Sequence, residues 1–296
     1  MKIKSTEIDK TFAEAFSLWG ARIIITAETI DWAKTAAGSM TGFATSIIGC
    51  GCEAGIESEL TKTKTPDKRP GVSVLLFTLD KKSIQKRLVE RIGQCVMTCP
   101  TTSCYNGLGN SDEKVNVGGQ LRYFGDSFQI SKKLNGQRFW RIPVMDGEFV
   151  IEEEFKIQKS VGGGNIFLLG ENPDVTLQAA QDAARSMRKI TGVILPFPDG
   201  VVRSGSKVGS KYKALPASTN HAYCPTLKGV VEDSSLDDDV NCVLEIVVDG
   251  LDEKAVKNAM RAGIKAAARK GIKKITAGNY GGKLGQHKIN LHDILK

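Results

Sequence analysis

The chain has 296 residues and a formal net charge of +8, with 41% hydrophobic and 25% charged residues. That is the composition of a soluble globular protein, long enough for roughly two domains of about 150 residues each. No apolar run approaches the ~18 residues of a membrane helix, and MKIKSTEIDKTFAEAF lacks the apolar core of a signal peptide, so a cytoplasmic protein is expected.

In the first half, ARIIITA reads as a strand, IDWAKTAAGSM as a helix, and FATSIIGC and GVSVLLFT as strands. KKSIQKRLVERIGQ then has the period of a helix, and TCPTTSCY reads as a strand. LRYFGDSFQI, RFWRIPVM and GEFVIEEE alternate as strands around Asn135-Gly136, a strong hairpin signal. This meander either packs on its own lobe or meets another subunit.

The second half is cleaner. GGNIFLLG is a buried strand, and the following helix carries Leu177, Ala180, Ala184, Met187 and Ile190 on one stripe before Gly192. GVILPFP and NCVLEIVVDG are further strands. A helix opened by Asp252 and Glu253 buries Val256, Met260 and Ile264, Gly271 ends it, and IKKITAG is the last strand of the unit. HKINLHDIL alternates more like a strand than a helix. Both halves therefore read βαββαβ, and the expected class is α+β: two ferredoxin-like lobes from an internal duplication, with a β-meander insertion. The lobes are expected at residues 1–148, including the insertion, and 149–296.

The seven cysteines, Cys50, Cys52, Cys95, Cys99, Cys104, Cys224 and Cys242, are odd in number and fit no zinc or iron-sulfur spacing. With three histidines besides, no metal centre is expected. The positive charge is either solvated surface charge or the mark of an anionic partner. Lysines and arginines are spread rather than clustered and no aromatic-basic RNA motif occurs, so small anionic substrates are expected rather than nucleic acid.

Three polar stretches could carry chemistry: VVRSGSKVGSKYK with Ser206, Lys207 and Lys211, LPASTNHAYCPT with Ser218, Thr219 and Asn220, and TAGNYGGKLG with Asn279, Tyr280, Gly281, Gly282 and Lys283. The last fails as a phosphate loop, because Ala277 and Leu284 replace the first Gly and the Ser or Thr of G-x-x-x-x-G-K-[ST]. It is either a turn closing a hairpin or a ligand loop. Glu245, between Val243 and Val247 on one strand face, is the ionisable residue that stands apart: burial raises a carboxyl pKa and would poise a general acid or base near neutrality. A solvent-facing glutamate is the plain alternative.

Taken together, TFAEAF, TGFATSII, EAGIE, TPDKRPGV, RIGQCVMT, SGSKVGSKYK, PASTNHAYCPT and AGNYGGKLG resemble the formylmethanofuran:tetrahydromethanopterin formyltransferase family nearly end to end. CGCEAGIE and SVLLF make the chain more similar to the transferase subunit of the bacterial formyltransferase/hydrolase complex. The resemblance implies reversible formyl transfer between the amine of a methanofuran-type cosubstrate and N5 of tetrahydromethanopterin, without a metal or prosthetic group. It also implies a homodimer or homotetramer, with hydrolase subunits as further partners. Glu245 occupies the place of the family's proton-supplying glutamate, and the Ser-Thr-Asn loop and the glycine turn would shape the ligand cleft. His221 and Asp199 stand where relatives commonly have an acidic residue and a glycine. A noncatalytic binding or assembly subunit of the same fold is the competing reading.

Overall fold

The computed structural model describes residues 1–109 and 111–296. After two short strands at Lys2–Ile3 and Thr6–Ile8, its main elements are β1 (Phe12–Thr26), α1 (Ile30–Thr41), β2 (Glu53–Leu60), β3 (Gly71–Thr78), α2 (Lys81–Arg91) and β4 (Ser103–Asn106). The meander follows as β5 (Ile130–Leu134), β6 (Gln137–Val144) and β7 (Gly147–Glu152). The second half contains β8 (Gln158–Gly170), α3 (Pro173–Met187), β9 (Val193–Ile194), β10 (Cys242–Gly250), α4 (Glu253–Ala267), β11 (Ile272–Thr276) and β12 (His287–Asn290).

Each half builds an antiparallel sheet with one spatial order. In the first it is β4-β1-β3-β2, and in the second β11-β8-β10-β9. The helices start where short polar side chains accept the free N–H groups of the first turn: Thr29 accepts from Trp32, Asn172 from Val175, and Asp252 from Ala255. The first core packs Ala33, Ala37, Met40, Ile84 and Leu88 onto Ile23, Ile25, Val72 and Val74. The second packs Ala180, Ala184, Met187, Val256, Met260 and Ile264 onto Ile166, Leu168, Ile246 and Val248.

The two sheets are one. Residues Phe16–Gly20 of β1 pair with Gln158–Gly162 of β8, so each lobe's central strand runs on into the other lobe. A bulge between Val161 and Gly164 bends β8 just past this junction. There Gly163 takes φ +78°, and a side chain at Gly162 would collide with Leu18. Glycine is required at both positions for different reasons, one conformational and one steric.

Several boundaries differ from the sequence reading. FATSIIGC is no strand: Ile47–Cys50 form a helical turn capped by Gly51 at φ +73°, and the strand is EAGIESEL. LRYFGDSFQI begins as helical turns, Gly118–Leu121 and Arg122–Gly125, and β5 starts only at Ile130. GVILPFP contributes only two strand residues, because the chain leaves the sheet edge after Ile194. HKINLHDIL is half strand and half helix, with Leu291–Leu295 turning helical. Leu177 lies off the apolar stripe of α3 and is exposed, while Thr176, Ala179 and Ala183 complete the buried face. The meander continues the first sheet, with β7 parallel to β4, and buries Ile142, Phe149 and Ile151. Among the described residues no helix is long and apolar enough to cross a membrane.

A partly buried ion pair ties the lobes together. Glu57 accepts from Arg22 at 2.8 and 2.7 Å, from Ser73 at 2.6 Å, and from the Gly192 N–H of the second lobe at 2.7 Å. Burial alone would raise this carboxyl, but the Arg22 guanidinium with Ser73 and Gly192 holds it below the ordinary range. Removing Glu57 leaves the partly buried Arg22 guanidinium, the Ser73 hydroxyl and the Gly192 N–H without their acceptor, so Glu57→Ala should cost about 2 kcal/mol in urea unfolding at neutral pH. Because the folded-state pKa is depressed, the wild-type advantage should be present above about pH 4 and shrink as pH falls further.

Candidate active site

Glu245 lies on β10 opposite Phe167 of β8. Its backbone exchanges two hydrogen bonds with Val202, at 2.7 and 2.9 Å, which brings the next loop across the carboxyl. At Gly205 a side chain would begin 3.1 Å from Glu245 Oε2, so glycine lets the backbone pass close to it. Burial alone pushes the carboxyl up to about 7. That poises it to give or take a proton at neutral pH.

Two adjoining cavities open on this carboxyl. One, of about 300 Å³, is walled by Glu14, Phe16, Ser46, Glu53, Asn165, Phe197, Ser206, Val247 and Tyr280. The other, of about 230 Å³, is walled by Asn165, Phe167, Ser206, Lys207, Asn220, Tyr223, Asn279 and Tyr280. Both include Glu245. Such volumes suit organic substrates of moderate size.

Of the residues singled out from sequence, Ser206, Lys207, Asn220, Asn279 and Tyr280 thus meet Glu245 in one place. Thr219 lines a smaller recess behind it with Phe167 and Cys224. Ser218 donates to the Gly209 carbonyl at 2.7 Å and braces the ribbon formed by Ser206–Val208 and Ala217–Thr219. Lys211, Gly281 and Lys283 are exposed outside these walls, and Gly282 is half-buried there.

The glycine turn explains its own composition. The buried Glu14 carboxylate accepts N–H groups from Tyr280 at 2.7 Å, Gly282 at 2.8 Å, Leu284 at 2.6 Å and Gly285 at 2.6 Å. Gly281 and Gly282 take φ of +69° and +71°, which turns successive N–H groups onto one anion. Burial would raise this carboxyl, but the four backbone donors outweigh it and bring it to about 2. The turn therefore grips an internal anion, and its tip presents Asn279 and Tyr280 to the cavity.

Sequence reasoning missed Glu14, Asn165 and Glu53. Asn165 accepts from the Gly278 N–H at 2.6 Å and donates to the Gly278 and Gly163 carbonyls at 3.2 Å, fixing the turn against β8. The available signal was a polar residue inside an apolar strand: Glu14 between Ala13 and Ala15, and Asn165 before Ile166. Of the departures, Asp199 has φ +46° and pairs with Arg188 at 3.1 Å, so the position favours glycine for its backbone. His221 pairs with Asp233 at 2.8 Å. Among the described residues no group of three or more His, Cys, Asp or Glu side chains is placed to hold a metal ion.

A carboxyl raised to about 7 in a polar cleft between two α+β lobes defines an acid-base enzyme site for polar substrates. Residues 1–144 match the family described as formylmethanofuran-tetrahydromethanopterin formyltransferase, and residues 147–294 match its proximal lobe. The formylmethanofuran–tetrahydromethanopterin formyltransferase of Methylobacillus flagellatus is 54% identical, with the whole of both chains covered. The chain is similar to a solved structure of the formyltransferase/hydrolase complex from Methylorubrum extorquens with methylofuran, at TM-score 0.97, 48% identity, and 100% and 99% of the two chains covered. It is also similar to the Methanosarcina barkeri enzyme, at TM-score 0.94, 46% identity, and 99% and 100% covered. The chain belongs to the formylmethanofuran:tetrahydromethanopterin formyltransferase family.

Replacing the Glu14 carboxylate with an amide turns an acceptor-only group into one that faces N–H donors with N–H of its own. Glu14→Gln should lose about 2 kcal/mol of stability and loosen residues 278–285, read as faster amide hydrogen exchange there. With a depressed folded-state pKa, the wild-type contribution is present above about pH 4 and should fade as pH falls toward 2.

Proposed function

We propose that this protein transfers a formyl group reversibly between the amine of a methanofuran-type cosubstrate and N5 of tetrahydromethanopterin, with Glu245 as the general acid and base. The observation that carries the assignment is the Glu245 carboxyl, raised by burial to about 7 and facing both cavities. The reaction is an amide exchange. The attacking nitrogen forms a C–N bond to the formyl carbon and sheds a proton, and the departing nitrogen gains one as its C–N bond breaks. No electrons are transferred, so the chemistry requires no redox cofactor, and the reading assigns no metal or prosthetic group. A carboxyl near neutrality can carry that proton in either direction, which suits a reversible transfer. Two adjoining cavities meeting at one carboxyl suit two cosubstrates held with their reacting atoms together.

Ser206, Lys207, Asn220, Asn279 and Tyr280 are assigned to ligand binding on the strength of their shared walls with Glu245. Thr219 and Ser218 support the same loop from behind, and Lys211, Gly281, Gly282 and Lys283 flank its mouth in this reading. The lobes are read as duplicated ferredoxin-like units meeting near residue 148. The matching strand orders, and family matches that end at 144 and resume at 147, support this. The Methylorubrum relative occurs in a formyltransferase/hydrolase complex, and we assign hydrolase subunits and further copies of this chain as partners in the cytoplasm.

Glu245→Gln should keep cosubstrate affinity and lower kcat by about 10² or more, measured by formyl transfer with both cosubstrates. Wild-type activity should titrate near pH 7, and wild-type turnover by the variant would show Glu245 to be structural. The anionic tails of the cosubstrates should feel the +8 charge, and that attraction is screened over about 8 Å at physiological salt. KM for the furan cosubstrate should therefore rise with KCl while kcat changes less, and Lys207→Ala should flatten the salt response.

A further inference from the structure

Asp249 lies two alternations beyond Glu245 on the same face of β10, with Val247 between them. It is fully buried. Its Oδ1 accepts the Gly163 N–H at 2.9 Å, made available by the bulge in β8. Its Oδ2 has no N–H or hydroxyl partner among the described residues. Another carboxyl stands beside it: Glu53, the first residue of β2, lies within hydrogen-bonding reach of Asp249 and accepts the Ile47 N–H at 3.0 Å. Glu53 lies in the wall of the cavity that holds Glu245.

Two carboxylates have only acceptors, so this contact exists only while one of them keeps its proton. The surroundings favour that proton. Among the described residues no cation acts on either member, and the charge acting on Asp249 is Glu53 itself. Of the other titratable groups nearby, Glu14 and Glu245 border the same cavity and are both acidic, while Arg87, which comes against Gly51 two residues before Glu53, pairs with Glu90 at 2.9 Å.

We propose that Glu53 and Asp249 form a proton-sharing pair across the lobe junction, in which Asp249 positions Glu53 as a wall of the cleft and cosubstrate binding depends on the pair retaining one proton. Loss of that proton to solvent leaves two like charges in contact and drives Glu53 off the wall. Asp249 acts through Glu53, so it is a positioning residue rather than a catalytic one.

The inference rests on the formyl-transfer reading only for the choice of ligands. The test uses Glu245→Gln protein, in which turnover and the titration of Glu245 are removed, with and without Asp249→Asn. The asparagine can still accept from Gly163 and donate permanently to Glu53, so it replaces the shared proton with a fixed one. Infrared spectra should show a protonated-carboxyl stretch at neutral pH that is absent from the Asp249→Asn protein and therefore stands out in the difference between the two. The difference isolates the pair from Glu152, whose buried carboxyl is also raised to about 7. By calorimetric titration between about pH 5 and about pH 9, Kd for methylofuran or tetrahydromethanopterin should rise about tenfold per pH unit once that stretch is lost. With Asp249→Asn, Kd should stay flat. Absence of the stretch, or an unchanged pH slope in the Asp249→Asn protein, would overturn the pair, and Glu53→Gln gives a second readout should Asp249→Asn fail to fold. Failure of both ligands to bind at any pH would instead overturn the functional reading, while the infrared result still decides the pair.

Discussion

The pairing of β1 with β8 is the constraint on which the rest depends. Phe16–Gly20 against Gln158–Gly162 makes two four-stranded units into one sheet, and it forces each central strand to serve two lobes. Polar side chains then accumulate where neither lobe's helices cover the sheet. β1 supplies Glu14 and Phe16, β8 supplies Asn165 and Phe167, β10 supplies Glu245, and β2 brings Glu53. The larger cavity draws its walls from both halves of the chain, and the smaller from the second half alone.

Carboxyls at this junction are set to different protonation states by their surroundings rather than by their type. Glu14 is buried yet ionised, because four backbone N–H groups converge on it. Glu245 is raised to about 7 because burial acts on it without such donors. Glu53 is raised by burial against its hydrogen bonds to Asp249 and the Ile47 N–H, whereas Asp249 is raised by burial and by Glu53 beside it. The contrast follows from the rule that desolvation raises an acid while hydrogen bonds to its charged form lower it. Separating neighbouring carboxyls in this way is how one cleft can hold a fixed anion and a mobile proton together.

Much of the fold was legible in the sequence because its helices carry strong periodicity, with a clear opening at Asp252, and because β8 and β10 are long apolar runs. The failures lie where tertiary contacts overrule local pattern. Ile47–Cys50 has the apolar content of a strand, but Gly51 turns it, and Glu53 accepts its first N–H. Within the site, Glu245 was legible as a charge inside an apolar strand. The role of Glu14 was not, since its donors lie 266 or more residues away along the chain. The glycines of the turn announced a close approach but not its partner, which proved to be a side chain of the same molecule.

The symmetry of strand order makes the asymmetry of connections informative. Between β2 and β3 the first lobe has only residues 61–70, whereas the matching connection from β9 to β10 spans 195–241. That longer connection carries Val202 and Gly205 across Glu245, forms the ribbon bearing Ser206 and Lys207, and supplies Asn220 and Tyr223. The first lobe instead extends its β4 edge with the meander, leaving Tyr123, Phe124, Phe128 and Met145 exposed. One arrangement of strands thus serves two ends, with chemistry placed on a loop held over the second lobe's sheet and apolar surface placed at the far edge of the first. The sheet supplies rigidity to both. A residue's role in this protein follows less from its lobe than from which connection, long or short, carries it to the junction.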